Sequence, residues 1–195
     1  MQDRAIKQDN TLDHRQIIEA VRQWVAAVVV DLNLCPFAKD ELINDRIRFV
    51  ITEAATEEQL LADLQAEIEL LDAETTIETT LLIHPRVLAD FDDYNQFLNY
   101  SDGLLVQMAR EGIYQIASFH PDYQFGGTEP DDAENYTNKS PYPMLHLLRE
   151  ASLERAIAGH PNAEQIPEHN IALMETMGTE KLKALLLACS EQSHN

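Results

Sequence analysis

Basic residues are scarce in this chain: 14 lysines and arginines stand against 34 aspartates and glutamates, for a formal net charge of −20 over 195 residues. A field of that sign repels phosphate backbones and anionic headgroups, and the few cations are scattered, with none between Glu53 and Glu78. Neither nucleic acid nor a membrane surface is expected as a partner. Long apolar runs are also lacking. The longest, Trp24 to Val30, falls far short of the roughly 20 residues a helix needs to cross a bilayer. Met1 to Asp13 has neither the apolar segment nor the small-residue cleavage site of a secretory leader, so the expected compartment is the cytoplasm. Cysteine is nearly absent. Cys35 and Cys189 lie far apart and belong to no CxxC pair or disulfide framework, so both are expected to be free thiols.

What remains is the composition of an ordinary globular protein, 45% hydrophobic and 25% charged, and the length suits one domain over 1–195, with 1–12 and 190–195 as flexible tails. Ile17, Val21, Val25, Val28 and Leu32 recur at helical spacing, which predicts a core helix from about Asp13 to Leu32 that stops before Cys35-Pro36. Arg46 to Thr52 alternates like a strand. Thr56 and Gln59 then give a capping-box signal for a helix carrying Leu60, Leu64, Ile68 and Leu71 inward, its acidic side facing water. Thr79 to Ile83 and Ile113 to Phe119 read as further strands, separated by a helix from Asp90 to about Arg110 with a break near Ser101-Asp102-Gly103. The expected fold class is α/β: a small, mostly parallel βαβαβ sheet flanked by helices, with a helical C-terminal part and room for one more short or antiparallel strand. Ser140-Pro141 reads as the cap and first turn of a helix through Ile157, followed by helices from Pro167 to Gly178 and from Thr179 to Cys189.

Two strands end alike, in His84-Pro85 and His120-Pro121. In a parallel sheet all carboxyl ends share one edge, and ligands of open α/β sheets bind outside that edge, so the two imidazoles are expected to be neighbours. Histidine there suits proton transfer or ligation of a divalent metal, which makes His84 and His120 the candidate metal ligands; the alternative is that each caps its strand by bonding a loop carbonyl. Cys35, on a turn near Lys39, joins them as a candidate nucleophile if neighbouring charge favours its thiolate, and a Cys-Pro pair also suits thiolate ligation of haem; burial as a core thiol is the competing reading. His146 and Arg149 fall within one turn of the expected helix, whose N-terminus, with Arg149, Arg86 and Lys139, would suit an anionic small molecule. The loop between Pro121 and Ser140 has adjacent glycines, and Tyr123 and Phe125 in it are expected to help cover a ligand as parts of a lid. The glycines match no dinucleotide or phosphate-loop pattern, and the acids lack the spacing of a calcium-binding loop, so no nucleotide site is expected.

The segments LNLCPFA (Leu32 to Ala38), His84-Pro85-Arg86, SFHP (Ser118 to Pro121) and SPYPMLHLLRE (Ser140 to Glu150) together resemble a bacterial family known only as a domain of unknown function, over about His14 to Ala188. That resemblance implies no activity, cofactor or substrate. The residues themselves leave three readings: an enzyme with Cys35, His84, His120 and His146 around one pocket, performing metal-assisted or Cys/His hydrolysis or group transfer; a metal, haem or metabolite binder; or an acidic module that docks a basic protein.

Overall fold

The computed structural model describes residues 14–191, so the expected N-terminal tail over 1–12 and the last four residues of the chain lie outside the described part. Ser190 and Glu191 fall within the last helix. The chain opens with α1 (His14–Trp24), which buries Ile17, Ala20, Val21 and Trp24 on one side. Over Val25–Val30 the coil widens into a π-helix, and the Asp31 N–H reaches back five residues to the Ala26 carbonyl at 2.9 Å. The turn through Cys35-Pro36 leads into the short α2 (Ala38–Ile43). Next come β1 (Ile47–Ile51) and α3 (Glu57–Ala73), where Thr56 accepts from the Gln59 N–H while the Gln59 amide oxygen accepts from the Ala55 N–H, a capping box shifted by one residue. Then follow β2 (Thr79–Ile83), α4 (Phe91–Gln107) and β3 (Tyr114–Phe119).

Beyond β3 the structure departs from expectation. Met144–Arg149 is a strand, β4, and the helix expected from Ser140 begins only at Glu150, as α5 (Glu150–Gly159). The sheet order is β1-β2-β4-β3, with β1 and β2 parallel and β4 antiparallel to both neighbours. The sheet is therefore mixed, not mostly parallel. The physical reason lies in the position of β4: a central strand covered on both faces reads as a continuous apolar run, which a proline-led helix also produces. The expected break in α4 is absent too, because Ser101 is buried and its hydroxyl donates to the Phe97 carbonyl instead of capping a new helix. The chain ends with α6 (Ile166–Met177) and α7 (Thr179–Glu191).

Helices cover both faces. On one, α3 and α4 pack Leu64, Ile68, Tyr94 and Phe97 onto Leu82, Leu145 and Leu147. On the other, α1, the π-segment, α6 and α7 pack Ile17, Trp24, Met174 and Leu182 onto Leu81, Ile83 and Met144. Among the described residues no helix is long and apolar enough to cross a membrane.

The glycine-bearing loop is strapped from inside. Fully buried Asn135 accepts from the Phe125 N–H and the Thr128 hydroxyl, each at 2.9 Å, and donates to the Glu129 carbonyl at 2.8 Å. Replacing it leaves the Phe125 N–H without a partner, whereas the Thr128 hydroxyl keeps the Phe125 carbonyl at 2.9 Å and the Glu129 carbonyl keeps the Asp132 N–H at 3.0 Å, a loss of about 1–3 kcal/mol. Asn135→Ala should lower the urea midpoint by a corresponding amount and expose Phe125 to Asp132 to limited proteolysis; an unchanged midpoint and digestion pattern would show that the loop is held otherwise.

Candidate functional site

The two strand-ending histidines do meet. Because β2 and β3 both run antiparallel to β4, they run the same way, and His84 and His120 leave the same edge of the sheet on either side of Tyr94. The ring centroids lie 5.7 Å (His84–Tyr94) and 5.1 Å (Tyr94–His120) apart. Both side chains are fully buried, and both are tied to the backbone. His84 Nδ1–H donates to the Val87 carbonyl at 3.0 Å. His120 is occupied at both nitrogens, with Nε2–H donating to the Leu88 carbonyl at 3.1 Å and Nδ1 accepting from the Asp122 N–H at 3.0 Å. A metal held jointly by His84 and His120 would have to displace a backbone partner of His120, and among the described residues no group of three or more His, Cys, Asp or Glu side chains is placed to hold one. The geometry is that of strand-end tethers.

His146 lies on the opposite face, and this corrects its expected place on a helix: as the third residue of β4 it shares a side with Met144, not with Leu145 and Leu147. Cys35 joins it there, so the four candidate catalytic residues fall into two pairs on opposite faces of the sheet. Cys35 and His146 line a cavity of about 190 Å³ between β2 and β4 on one side and α1, the π-segment, α2 and α5 on the other. Its walls are largely apolar, with Trp24, Val29, Phe37, Leu81, Phe119 and Leu148 among them.

The protonation of His146 follows from its neighbour. Thr79 Oγ1 gives its single proton to the Leu147 carbonyl at 2.5 Å, so it accepts from His146 Nε2–H at 2.7 Å. Nδ1 therefore carries the lone pair. Among the described residues no protein group hydrogen-bonds to it, and the ring keeps accessible surface only because it forms part of the cavity wall. Burial holds the His146 pKa down to about 4, which keeps the imidazole neutral. Burial also pushes the Cys35 thiol up, against opposing hydrogen bonds from the Phe37 and Ala38 backbone, so neither group is biased toward a thiolate–imidazolium pair. Lys39 is exposed.

The candidate anion-binding residues are engaged elsewhere. Arg86 pairs with Glu53 at 2.6 Å on the surface. Lys139 donates to the Pro130 carbonyl at 3.0 Å and lies over the Tyr136 ring. Arg149 donates to the carbonyls of Leu71, Glu74 and Ile77 and to the Tyr114 hydroxyl, closing the C-terminal end of α3. Tyr123 packs on both Phe125 and Phe91, and neither Tyr123 nor Phe125 is in the cavity wall.

Sequence reasoning passed over Tyr94, whose hydroxyl donates to the Met144 carbonyl at 2.8 Å and accepts from the Phe119 N–H at 3.1 Å, and also Thr79, Glu41 and Glu78. Thr79 opens an apolar strand and carried no signal. The ion pair of Glu41 with Arg46, at 2.8 Å, joins residues five apart around a turn, and that spacing was the one available hint.

Two buried imidazoles give the fold a definite pH dependence. His84, like His146, is held down to about 4 by burial. The unfolded chain takes up these protons near pH 6.5 and the native state only near pH 4, so stability is complete above 6.5 and lost as pH falls between the two, on the order of 3 kcal/mol for each. His84→Asn and His146→Gln retain a donor at the corresponding position without the titration. The double variant should lose markedly less stability than the parent in urea melts taken from pH 7 to pH 4.5; parallel losses would refute the assignment.

No curated protein and no solved structure matches the chain. A family model described as a protein of unknown function (DUF1415) matches residues 16–184. That span takes in the whole sheet, both tethered strand ends and every wall of the cavity, and the chain belongs to the DUF1415 family.

Proposed function

We propose that this protein binds a small, largely apolar molecule in the cavity lined by His146 and Cys35, with His146 Nδ1 accepting a hydrogen bond from it. The observation that carries the reading is the combination of about 190 Å³ of space, aromatic walls from Trp24 and Phe119, and one ring nitrogen left without a protein partner. Small-molecule sites are typically apolar hollows with a few placed polar groups, and an apolar cavity of roughly 150 Å³ is enough to hold benzene. A ligand here is therefore about the size of one ring with a short side chain. Small anions are disfavoured, because Arg86, Lys139 and Arg149 are committed to protein partners.

Trp24 is the single tryptophan of the chain and stands in the cavity wall, so its emission reports on the site. Phenethyl alcohol should shift and quench that emission saturably. Ala156→Phe, placed on α5 where the helix buries no residue of its own, should fill the space, abolish the response and leave the fold intact. A linear response in both proteins would refute binding at this place.

The hydrolytic or group-transfer reading has one observation in its favour, that Cys35 and His146 share a cavity. It requires a thiol ionised near neutrality, against the push of burial. Iodoacetamide alkylation of Cys35 should climb with pH beyond 9 without a plateau. A plateau below pH 7 would favour the nucleophile over the carrier.

A further inference from the structure

The hydrogen-bonding character of the cavity is one-sided. His146 Nδ1 is an acceptor by the argument from Thr79, and two carboxylates, Glu41 and Glu78, stand in the wall beside it. Glu41 is answered by Arg46, which grips it with Nε at 2.8 Å and Nη2 at 2.9 Å. Glu78 is answered by nothing of that kind: among the described residues its carboxylate has no ion pair and no hydrogen bond, and Oε1 is buried without a partner. Its charge is still felt, since burial and then the nearby Glu78 both push the Glu41 carboxyl up, against the lowering by Arg46. Arg149, also in the wall, keeps its positive charge but turns its N–H groups to three backbone carbonyls and a tyrosine hydroxyl, so Glu78 receives no hydrogen bond from it. The donors left on the wall are the Cys35 thiol and the Ser152 hydroxyl, both weak beside a charge.

A wall with a carboxylate that no protein donor bonds, a lone-pair nitrogen and aromatic faces is complementary to a cation with an apolar body. The carboxylate supplies a charge-assisted hydrogen bond, and Trp24 and Phe119 supply ring faces that attract a positive charge or stack on a ring. We infer that the ligand of this cavity is a small amphipathic amine, its ammonium group held by Glu78 with His146 Nδ1 as second acceptor and its hydrocarbon part against Trp24 and Phe119. The inference rests on the binding reading above and adds the chemical class of the ligand. An ammonium in this position gives Glu78 Oε1 the donor it lacks, with a charge-assisted hydrogen bond that a neutral molecule of equal size supplies only weakly and an anion not at all.

Three probes of nearly equal size and different charge test it: phenethylamine, phenethyl alcohol and phenylacetate, each titrated against Trp24 emission at pH 7. The expected order is amine first by about tenfold or more, then alcohol, then phenylacetate, the size of gap that one desolvated charge-assisted hydrogen bond gives. Glu78→Gln keeps the shape and removes the charge, so it should bring the amine to the affinity of the alcohol and leave the alcohol unchanged. Equal binding of amine and alcohol to the parent protein, which needs no variant, would overturn the inference while the cavity reading stands. An amine preference that survives Glu78→Gln, or that survives the blocked cavity of Ala156→Phe, would place the cation on the general acidic surface and overturn it as well. Silence of all three probes would take down both this inference and the reading beneath it.

Discussion

The placement of β4 decides the rest of this structure. It runs between two strands and bonds to both, Thr79 to Ile83 on one side and Tyr114 to Phe119 on the other, so every residue from Met144 to Arg149 is fixed in register. Alternation then leaves no freedom about faces. Leu145 and Leu147 go to the core beneath α3 and α4, and Met144 and His146 to the opposite side. A slip of one residue would exchange an imidazole for a leucine in that core and leave its nitrogens without acceptors. The same fixed register brings His146 alongside Thr79, the contact that selects its tautomer.

The strand-ending histidines answer a different mechanical need. Leu88 adopts φ of 56°, a left-handed conformation that costs a residue with a side chain about 1 kcal/mol or more. The two imidazoles donate to the consecutive carbonyls of Val87 and Leu88, and Tyr94 stands between the rings while its hydroxyl joins the ends of β3 and β4. Each neutral hydrogen bond is worth about 1 kcal/mol, enough together to hold the strained turn. The repeated His-Pro at two strand ends thus sets each imidazole against a loop carbonyl, with His84 Nε2 left buried without a partner. Equal strand polarity gave the adjacency, and the carbonyls of an intervening loop determined what the rings do.

Much of this was legible in the sequence. Alternation of Ile47, Phe49 and Ile51 marked β1, apolar β2 and β3 ended where proline demanded, and the Thr56 and Gln59 box fixed the start of α3. Strand polarity sufficed to place His84 beside His120. The reading failed at β4 because MLHLLR, covered on both faces, has no alternation of polarity to display, and Ser140-Pro141 looks like a helix cap when its hydroxyl in fact bonds the Tyr142 carbonyl. That single error carried His146 and Arg149 to the wrong element and joined two separate pairs into one site. Arg149 shows how a scarce cation misleads: in a chain of −20 it stood out as a ligand anchor, whereas the strongest local demand on it was the open carbonyl end of α3.

Three departures from good packing converge on one wall. Protein interiors are close-packed, yet an apolar hollow of about 190 Å³ opens here between the sheet and the helices. The helix that borders it opens into a π-segment at Val25–Val30, a rare form that is frequent at functional sites. The partly buried carboxylate of Glu78 stands in its wall with, among the described residues, no ion pair or hydrogen bond. Each cost taken alone has a bland remedy: one larger side chain, one residue fewer in the coil, one glutamine. On the proposed binding reading the three share one account, because a molecule with a hydrocarbon body and a positive head fills the hollow and gives the carboxylate its donor together.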